Sequence, residues 1–447
     1  MQRSIMQRQP RSRSRLLGFA AATAISALAL SGCAVGGGNG DAALSDEDVT
    51  ITFNWWGATA RDERTRAAID LFQEKYPNIT VKGQSTEWGG YWDKLATTVA
   101  GGDAPDVMQF DQLYLASYAQ RGALADLGAL DEFLDTSDLS AEVLDQGKVK
   151  DELYGVPIGV GTVGLMVNRS IFEQYGIQLP DATTWTWDEL NEVALQVTEA
   201  SGGAVHGMSP FGGDMPTLTL WARQHGNDIY DKDGKVILKP EVVESYWQYA
   251  LDQIESGAAP SASQLAEGNG VAIDLMDMST GKVAMTFQPS SVLTAFQAAA
   301  PDHQLDLLPF PAAKDSSEGF QYLKPSMYWS VSSKSEHPAE AALLVDFLTT
   351  DTEVAKLFGT ERGMPANPDF QKAIDPDLTP TDRIVAGVVD AAREESGTPP
   401  AITPVGGGDS EKILGRYNQD VQFGKTTPKE AAEAFVAELT KAVDDAR

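Results

Sequence analysis

The chain has 447 residues, with 34 basic against 64 acidic side chains, a formal charge of −30 and one cysteine. So acidic a surface repels nucleic acid and anionic lipid and favours solubility, but it does not choose a ligand. A single thiol allows no disulfide within the chain, so stability must come from burial, and about 400 residues can build large cores, two at this length.

The amino terminus opens with Arg3, Arg8, Arg11, Arg13 and Arg15, then an apolar run from Leu16 to Leu30 that is short for a bilayer span and reads as a secretory signal. Leu30-Ser31-Gly32-Cys33 resembles the lipobox of bacterial lipoproteins. That resemblance implies cleavage after residue 32, a lipidated Cys33 as the mature first residue, and a protein exported and held at the outer face of the cytoplasmic membrane. A plain cleavage site or a free core cysteine is the competing reading. Residues 33–48, with Gly36-Gly37-Gly38-Asn39-Gly40, suit a flexible leash.

Alternation of Val49, Ile51, Phe53 and Trp55 predicts a strand over Val49–Trp55. A helix is expected over Arg61–Lys75 with acids in its first turn, then a strand at Ile79-Thr80-Val81, a helix around Tyr91–Ala100 and a strand over Asp106–Phe110. Strand, helix and strand at this spacing argue for α/β layers. Thr186 with Glu189, and Thr427 with Glu430 and Pro428, carry capping-box signals, and Pro338 opens another apolar helix.

Several chemical motifs fail on inspection. Gly424-Lys425-Thr426 lacks the earlier glycine of a phosphate loop, since Gln419 stands there. Asp231-Lys232-Asp233-Gly234 misses the remaining EF-hand ligands and reads as a hairpin turn between Ile229-Tyr230 and Val236-Ile237. Four scattered histidines offer no zinc site, and no G-x-S-x-G elbow occurs. No metal, cofactor or catalytic group is expected.

The aromatics fall beyond the ends of the expected strands. Trp56 follows the first, Glu87-Trp88-Gly89-Gly90-Tyr91-Trp92 is expected as a turn after the second, and Asp111 and Tyr114 follow the third. In open α/β sheets ligands bind beyond the carboxyl ends of strands. Indole faces pack on the C–H face of a pyranose, and carboxylates and amides pair with its hydroxyls. Trp55, Trp185, Trp187 and Trp247 sit on strand or helix-entry patterns and are expected in cores.

Gly102-Asp103-Ala104-Pro105-Asp106-Val107-Met108, Tyr118-Ala119-Gln120-Arg121-Gly122, Tyr154-Gly155-Val156-Pro157, Leu165-Met166-Val167-Asn168, Gly281-Lys282-Val283-Ala284-Met285 and Gly363-Met364-Pro365-Ala366-Asn367, in this order, resemble the family 1 extracellular solute-binding proteins of ABC importers. The resemblance implies a two-lobed, type II periplasmic-binding-protein-like α/β fold whose hinge has three crossings, near Gly159–Val163, Leu323–Met327 and Arg362–Pro365. Lobe one would take 49–160 plus 326–362, and lobe two 161–325 plus 363–447. Gly159, Gly161 and Gly164 fit either hinge torsion or close packing.

Carried over from the family, the cleft residues are Trp56, Glu87, Trp88, Asp111, Tyr114, Asp214, Trp221, Gln288, Tyr328, Trp329 and Arg362. Trp56, Trp88 and Trp329 would stack on sugar, and Glu87, Asp111, Asp214, Gln288 and Arg362 would hydrogen-bond it. The implied partners are a sugar or oligosaccharide, the transmembrane subunits of an ABC permease, and the membrane through Cys33. The protein would act as a monomer, without nucleic acid. The alternatives are a tethered sensory or scaffolding lipoprotein on the same fold, and a secreted glycoside-active enzyme.

Overall fold

The computed structural model describes residues 42–179, 181, 184–312, 316 and 319–446, without the side chain of Glu142. The signal run, Cys33 and the first part of the leash lie outside the described residues. The strands are, in chain order, β1 (Val49–Trp56), β2 (Ile79–Thr86), β3 (Val107–Phe110), β4 (Lys148–Val149), β5 (Glu152–Leu153), β6 (Val156–Gly161), β7 (Val163–Asn168), β8 (Met285–Pro289), β9 (Leu305–Leu308), β10 (Lys324–Val331) and β11 (Met364–Pro365). They form a six-stranded sheet of order β11-β6-β10-β3-β1-β2, a three-stranded sheet of order β8-β7-β9, and the small β4-β5 pair.

β1 is parallel to β2 and β3, in a register that sets Trp56 beside Thr86 and Phe53 beside Val107, so the three strands end on the same edge. β10 and β11 join antiparallel. The period of two sorts side chains between the faces. Val49, Ile51, Phe53 and Trp55 pack with Ala68, Ile69 and Phe72 of the helix Thr59–Lys75. Trp56, Met108, Phe110 and Tyr328 pack in the cluster on the opposite face.

In the smaller sheet Val163, Leu165 and Val167 join Trp187, Leu190 and Phe211, while Met166 joins Leu293, Phe296 and Leu307. Each sheet thus carries its own helical layers and its own cores, which gives the two α/β lobes expected from the sequence.

Most expected elements form within two residues of their predicted ends. Both capping boxes close, at Thr186 with Glu189 and at Thr427 with Glu430. Tyr230 bridges Val236 around the Asp231 turn. The run after β2 differs: it is no turn but the start of a helix, Trp88–Gly101, with Glu87 at the N-cap. The chain can afford Gly89 and Gly90 there because Tyr91, Trp92 and Leu95 bury one face of that helix.

Only Thr162 separates β6 of the large sheet from β7 of the small one, and Lys324 begins the return strand β10. β11 pairs with β6 of the large sheet, Met364 packs against the cluster of Leu293, Phe296 and Val385, and Phe370 and Ile374 pack with Ala355. Among the three glycines at the first crossing none has a positive φ. A Cβ on Gly159 would lie 2.5 Å from the Arg362 carbonyl oxygen, and one on Gly164 would lie 2.8 Å from that of Leu308. Close packing, not torsional freedom, requires glycine at those two positions.

Candidate functional site

Because β1, β2 and β3 run parallel, their carboxyl ends deliver Trp56, Glu87-Trp88 and Asp111 to one edge of the lobe of the six-stranded sheet. There Trp56 meets Trp88 edge-on at 5.0 Å and Tyr91 at 5.3 Å. Trp92, one helical turn after Trp88, stacks on Tyr114 at 3.9 Å and 29°. The Tyr91 hydroxyl donates to the Gln109 carbonyl at 2.7 Å and ties this cluster to β3. Trp56 is 6% exposed and Trp88 37%, so Trp88 offers its ring outward while Trp56 supports it from beneath. The result is a rigid aromatic shelf.

The lobe of the three-stranded sheet brings polar groups against that edge. The helix Ser410–Gln422 carries Glu411 in its first turn, and Lys412 reaches Asp93 of the shelf helix at 3.6 Å. Lys324, at the start of β10, lies 3.5 Å from Asp111. Asp214 caps the helix Met215–Gln224, accepting from the Thr217 amide at 2.9 Å and the Thr217 hydroxyl at 2.7 Å.

Two cavities lie here, the smaller on the seam between the lobes and the larger within the lobe of the three-stranded sheet. One of about 70 Å³ is bordered by Asp111, Tyr230, Tyr322, Lys324 and Glu411. The other, about 580 Å³, is bordered by Phe211, Gly213, Asp214, Gln288 and Asn418 among others. The larger is of the size that small-molecule sites have.

Crowding of carboxylates shapes the electrostatics. Burial, then the charges of Asp214 and Asp111, push Glu411 up to about 7 against the opposing pull of Lys324. Burial also raises Asp214, opposed by its hydrogen bonds from Thr217. The Tyr114 hydroxyl is raised by burial and then by Glu411, Asp111 and Asp409.

Of the residues expected at the cleft, the structure brings together Trp56, Trp88, Asp111 and Tyr114 on the shelf and Asp214 and Gln288 at the larger cavity. Glu87 is exposed at the N-cap of the shelf helix and makes no capping bond.

Four expectations are corrected by burial. Trp221 packs edge-on to Trp187 and donates to Ser245 Oγ at 3.0 Å inside the core of the three-stranded-sheet lobe. Tyr328 is fully buried and donates to the Gln146 carbonyl at 2.9 Å. Trp329 is fully buried edge-on to Phe53. Arg362 is 2% exposed and donates to Thr65 Oγ1 at 2.7 Å and Gln109 Oε1 at 3.3 Å. The reason for Tyr328 and Trp329 is topological: β10 is an inner strand whose two faces are both covered, so alternate side chains enter alternate cores.

Residues missed in the sequence are Trp92, Lys324, Glu411 and Asn418. Trp88 and Trp92 stand four apart, a helical spacing that could have revealed the shelf. Glu411 carries no local signal beyond an acid in a helix's first turn. Among the described residues no group of three or more histidine, cysteine or acidic side chains could hold a metal ion. Lys425, of the phosphate-loop fragment, pairs with Asp420 at 2.8 Å.

Residues 56–355 match the family model described as bacterial extracellular solute-binding protein. An uncharacterized lipoprotein of Streptomyces antibioticus is 25% identical over 347 residues, covering 75% of this chain and 73% of the relative. The multiple sugar-binding protein of Streptococcus mutans serotype c is 23% identical over 341 residues, covering 72% of this chain and 76% of the relative. Among solved structures, a periplasmic oligogalacturonide binding protein of Yersinia enterocolitica, in complex with saturated digalacturonic acid, matches with a TM-score of 0.80 at 25% identity, covering 89% of this chain and 99% of that one.

Proposed function

The chain belongs to the bacterial extracellular solute-binding protein family, and from that premise we propose that it captures a sugar or oligosaccharide in its interlobe cleft and delivers it to an ABC permease. Its fold is the two-lobed α/β type of periplasmic binding proteins. The observation that carries the sugar reading is the Trp88 shelf, propped by Trp56, while the other lobe gathers carboxylate and amide groups at its own cavity. An indole face takes the apolar side of a pyranose, and Asp214, Gln288 and Asn418 are placed for its hydroxyls. Sugar-binding relatives on the same fold support it.

In this reading ligand enters an open cleft, and contacts from the second lobe favour the closed state by the difference in affinity between the two. We place lobe one at 49–160 plus 326–362, and the remainder of the folded chain in lobe two. The protein performs no chemistry and works as a monomer. Cys33 carries the lipid anchor that holds it near the permease, a reading supported by the lipoprotein relative. Replacing Cys33 by alanine should release the protein from the membrane fraction.

The test is the melting temperature of residues 42–447 against mono- and oligosaccharides, with amino acids and peptides as controls. A hundredfold excess over Kd stabilises by about 2.7 kcal/mol. A shift confined to one sugar class supports the proposal, and a shift only with peptide or amino acid overturns the ligand. Chromatography of the incubated sugars decides the enzyme alternative, since a hydrolase would shorten them.

A further inference from the structure

The cavity on the lobe seam and the larger one within the lobe of the three-stranded sheet are bordered by five carboxylates, Asp111, Asp214, Asp228, Asp277 and Glu411, and by two cations, Lys324 and Arg416. Neither cation is free. Lys324 is held by Asp111 at 3.5 Å, and Arg416 donates to both oxygens of Glu438, at 2.6 and 2.7 Å. Two of the remaining acids are also matched, Asp228 by Arg223 at 2.8 Å and Asp277 by Lys282 at 3.7 Å. Pairing therefore cancels every charge on the rim except those of Asp214 and Glu411.

Those two differ in what they can still do. Both oxygens of Asp214 are engaged by Thr217 in capping its helix. Glu411 makes no hydrogen bond or ion pair among the described residues, although it is half-buried beside Asp111, Asp214 and Lys324. A half-buried carboxylate with no protein partner keeps both oxygens open to a hydrogen-bond donor in the cleft. Along the same helix Gly415, Asn418 and Gln422 follow Glu411 at four, seven and eleven positions, so one stripe runs from the smaller cavity along the larger.

We propose that the cleft selects an uncharged saccharide and turns away uronic acids, with Glu411 as the specificity-determining residue. This rests on the sugar-binding reading above and deepens it. A neutral sugar offers hydroxyl donors to the two free oxygens of Glu411, and a carboxylate accepts from adjacent hydroxyls as a pair. A uronate would bring a further negative charge to a rim with no unpaired cation, where like charges oppose binding. The oligogalacturonide binding protein has the same fold, so the backbone does not forbid such ligands. The side chains make the choice.

The experiment is calorimetric titration at about pH 8, where Glu411 is ionised, with a matched pair. The neutral partner is the saccharide that most raises the melting temperature in a panel of maltose, lactose, cellobiose, galactobiose and their trimers. The charged partner is the same saccharide with its C6 hydroxyls oxidised to carboxylates. The wild type should bind the neutral form at least about tenfold more tightly, and Glu411→Gln should reduce that ratio about tenfold while still unfolding in one cooperative transition. Glu411→Asp, which retains charge, should keep the preference for the neutral form. A uronate bound as tightly as its neutral partner overturns the proposal, as does an unchanged ratio in Glu411→Gln. If only peptides or amino acids bind, the sugar reading itself falls, and this inference with it.

Discussion

Arg61 and Glu361, 300 positions apart, meet with Nε 2.7 Å from Oε1, and both side chains are almost sealed from solvent. The same guanidinium donates to the Trp56 carbonyl at 3.2 Å and the Glu361 carbonyl at 3.1 Å. It thereby ties the end of β1, which carries the aromatic shelf, to the loop that leads into β11. Glu361 also answers Arg362 at 3.3 Å, so one carboxylate serves two buried cations.

Glu361→Ala should therefore leave both guanidiniums without their counter-charge. Breaking a buried pair in this way costs about 3–5 kcal/mol. Urea unfolding monitored by tryptophan fluorescence measures it. A loss below about 1 kcal/mol would mean that water reaches this network.

Stability should fall as pH rises from about 4.5 to about 7. Glu411 is held at about 7 in the folded chain by burial, Asp214 and Asp111, against an ordinary value of 4.5. The folded state then binds more protons than the unfolded state in that window, so its advantage is complete below the lower value and is lost as pH passes the higher one. At about 1.4 kcal/mol per pH unit the loss is on the order of 3 kcal/mol. Raising of Asp214 acts in the same direction, whereas the lowered Glu438 acts oppositely. The groups that interact with Glu411 are Asp111, Tyr114, Asp214, Tyr246 and Lys324. Melting temperature against pH for wild type and Glu411→Gln isolates the Glu411 share, and parallel curves would refute it.

Trp88→Ala should weaken sugar binding by about 1–3 kcal/mol with little change in melting temperature, because its ring is partly exposed at the shelf. Trp329→Ala should behave in the opposite way. Its fully buried indole fills the core beside Phe53, and removing it should cost about 3–5 kcal/mol of stability. Calorimetry beside chemical denaturation separates the two effects. Normal affinity in Trp88→Ala would remove the stacking role.

Gly159→Ala should destabilise the chain by about 1–3 kcal/mol, since the added carbon would lie 2.5 Å from the Arg362 carbonyl and 2.9 Å from that of Met364. β11 would have to move away from β6. An unaltered urea midpoint would show that this pairing yields freely.

Much of the scaffold was legible before any coordinates. The alternation through Val49, Ile51, Phe53 and Trp55 and the capping signals at Thr186 and Thr427 are local, and they formed as read. The site was legible where position along a strand decided it. Trp56 and Asp111 reach the shelf edge because each follows a parallel strand. Reading failed where covering by distant elements decided. Nothing within β10 distinguishes a cleft-facing Trp329 from a buried one, because that depends on the helices packed over both faces of an inner strand.

By itself, then, the sequence determined the α/β character, the family motifs and the two-lobed expectation, since periodicity and short-range capping act within a few residues. Tertiary structure alone decided which polar groups are spent and which are free. Arg362 was consumed by Thr65 and Gln109, drawn from segments some 250 to 300 positions away. Glu411 was left unpaired between lobes. Hydrogen bonds and charges act over a few ångströms in space, and only the folded chain fixes which residues lie within that reach.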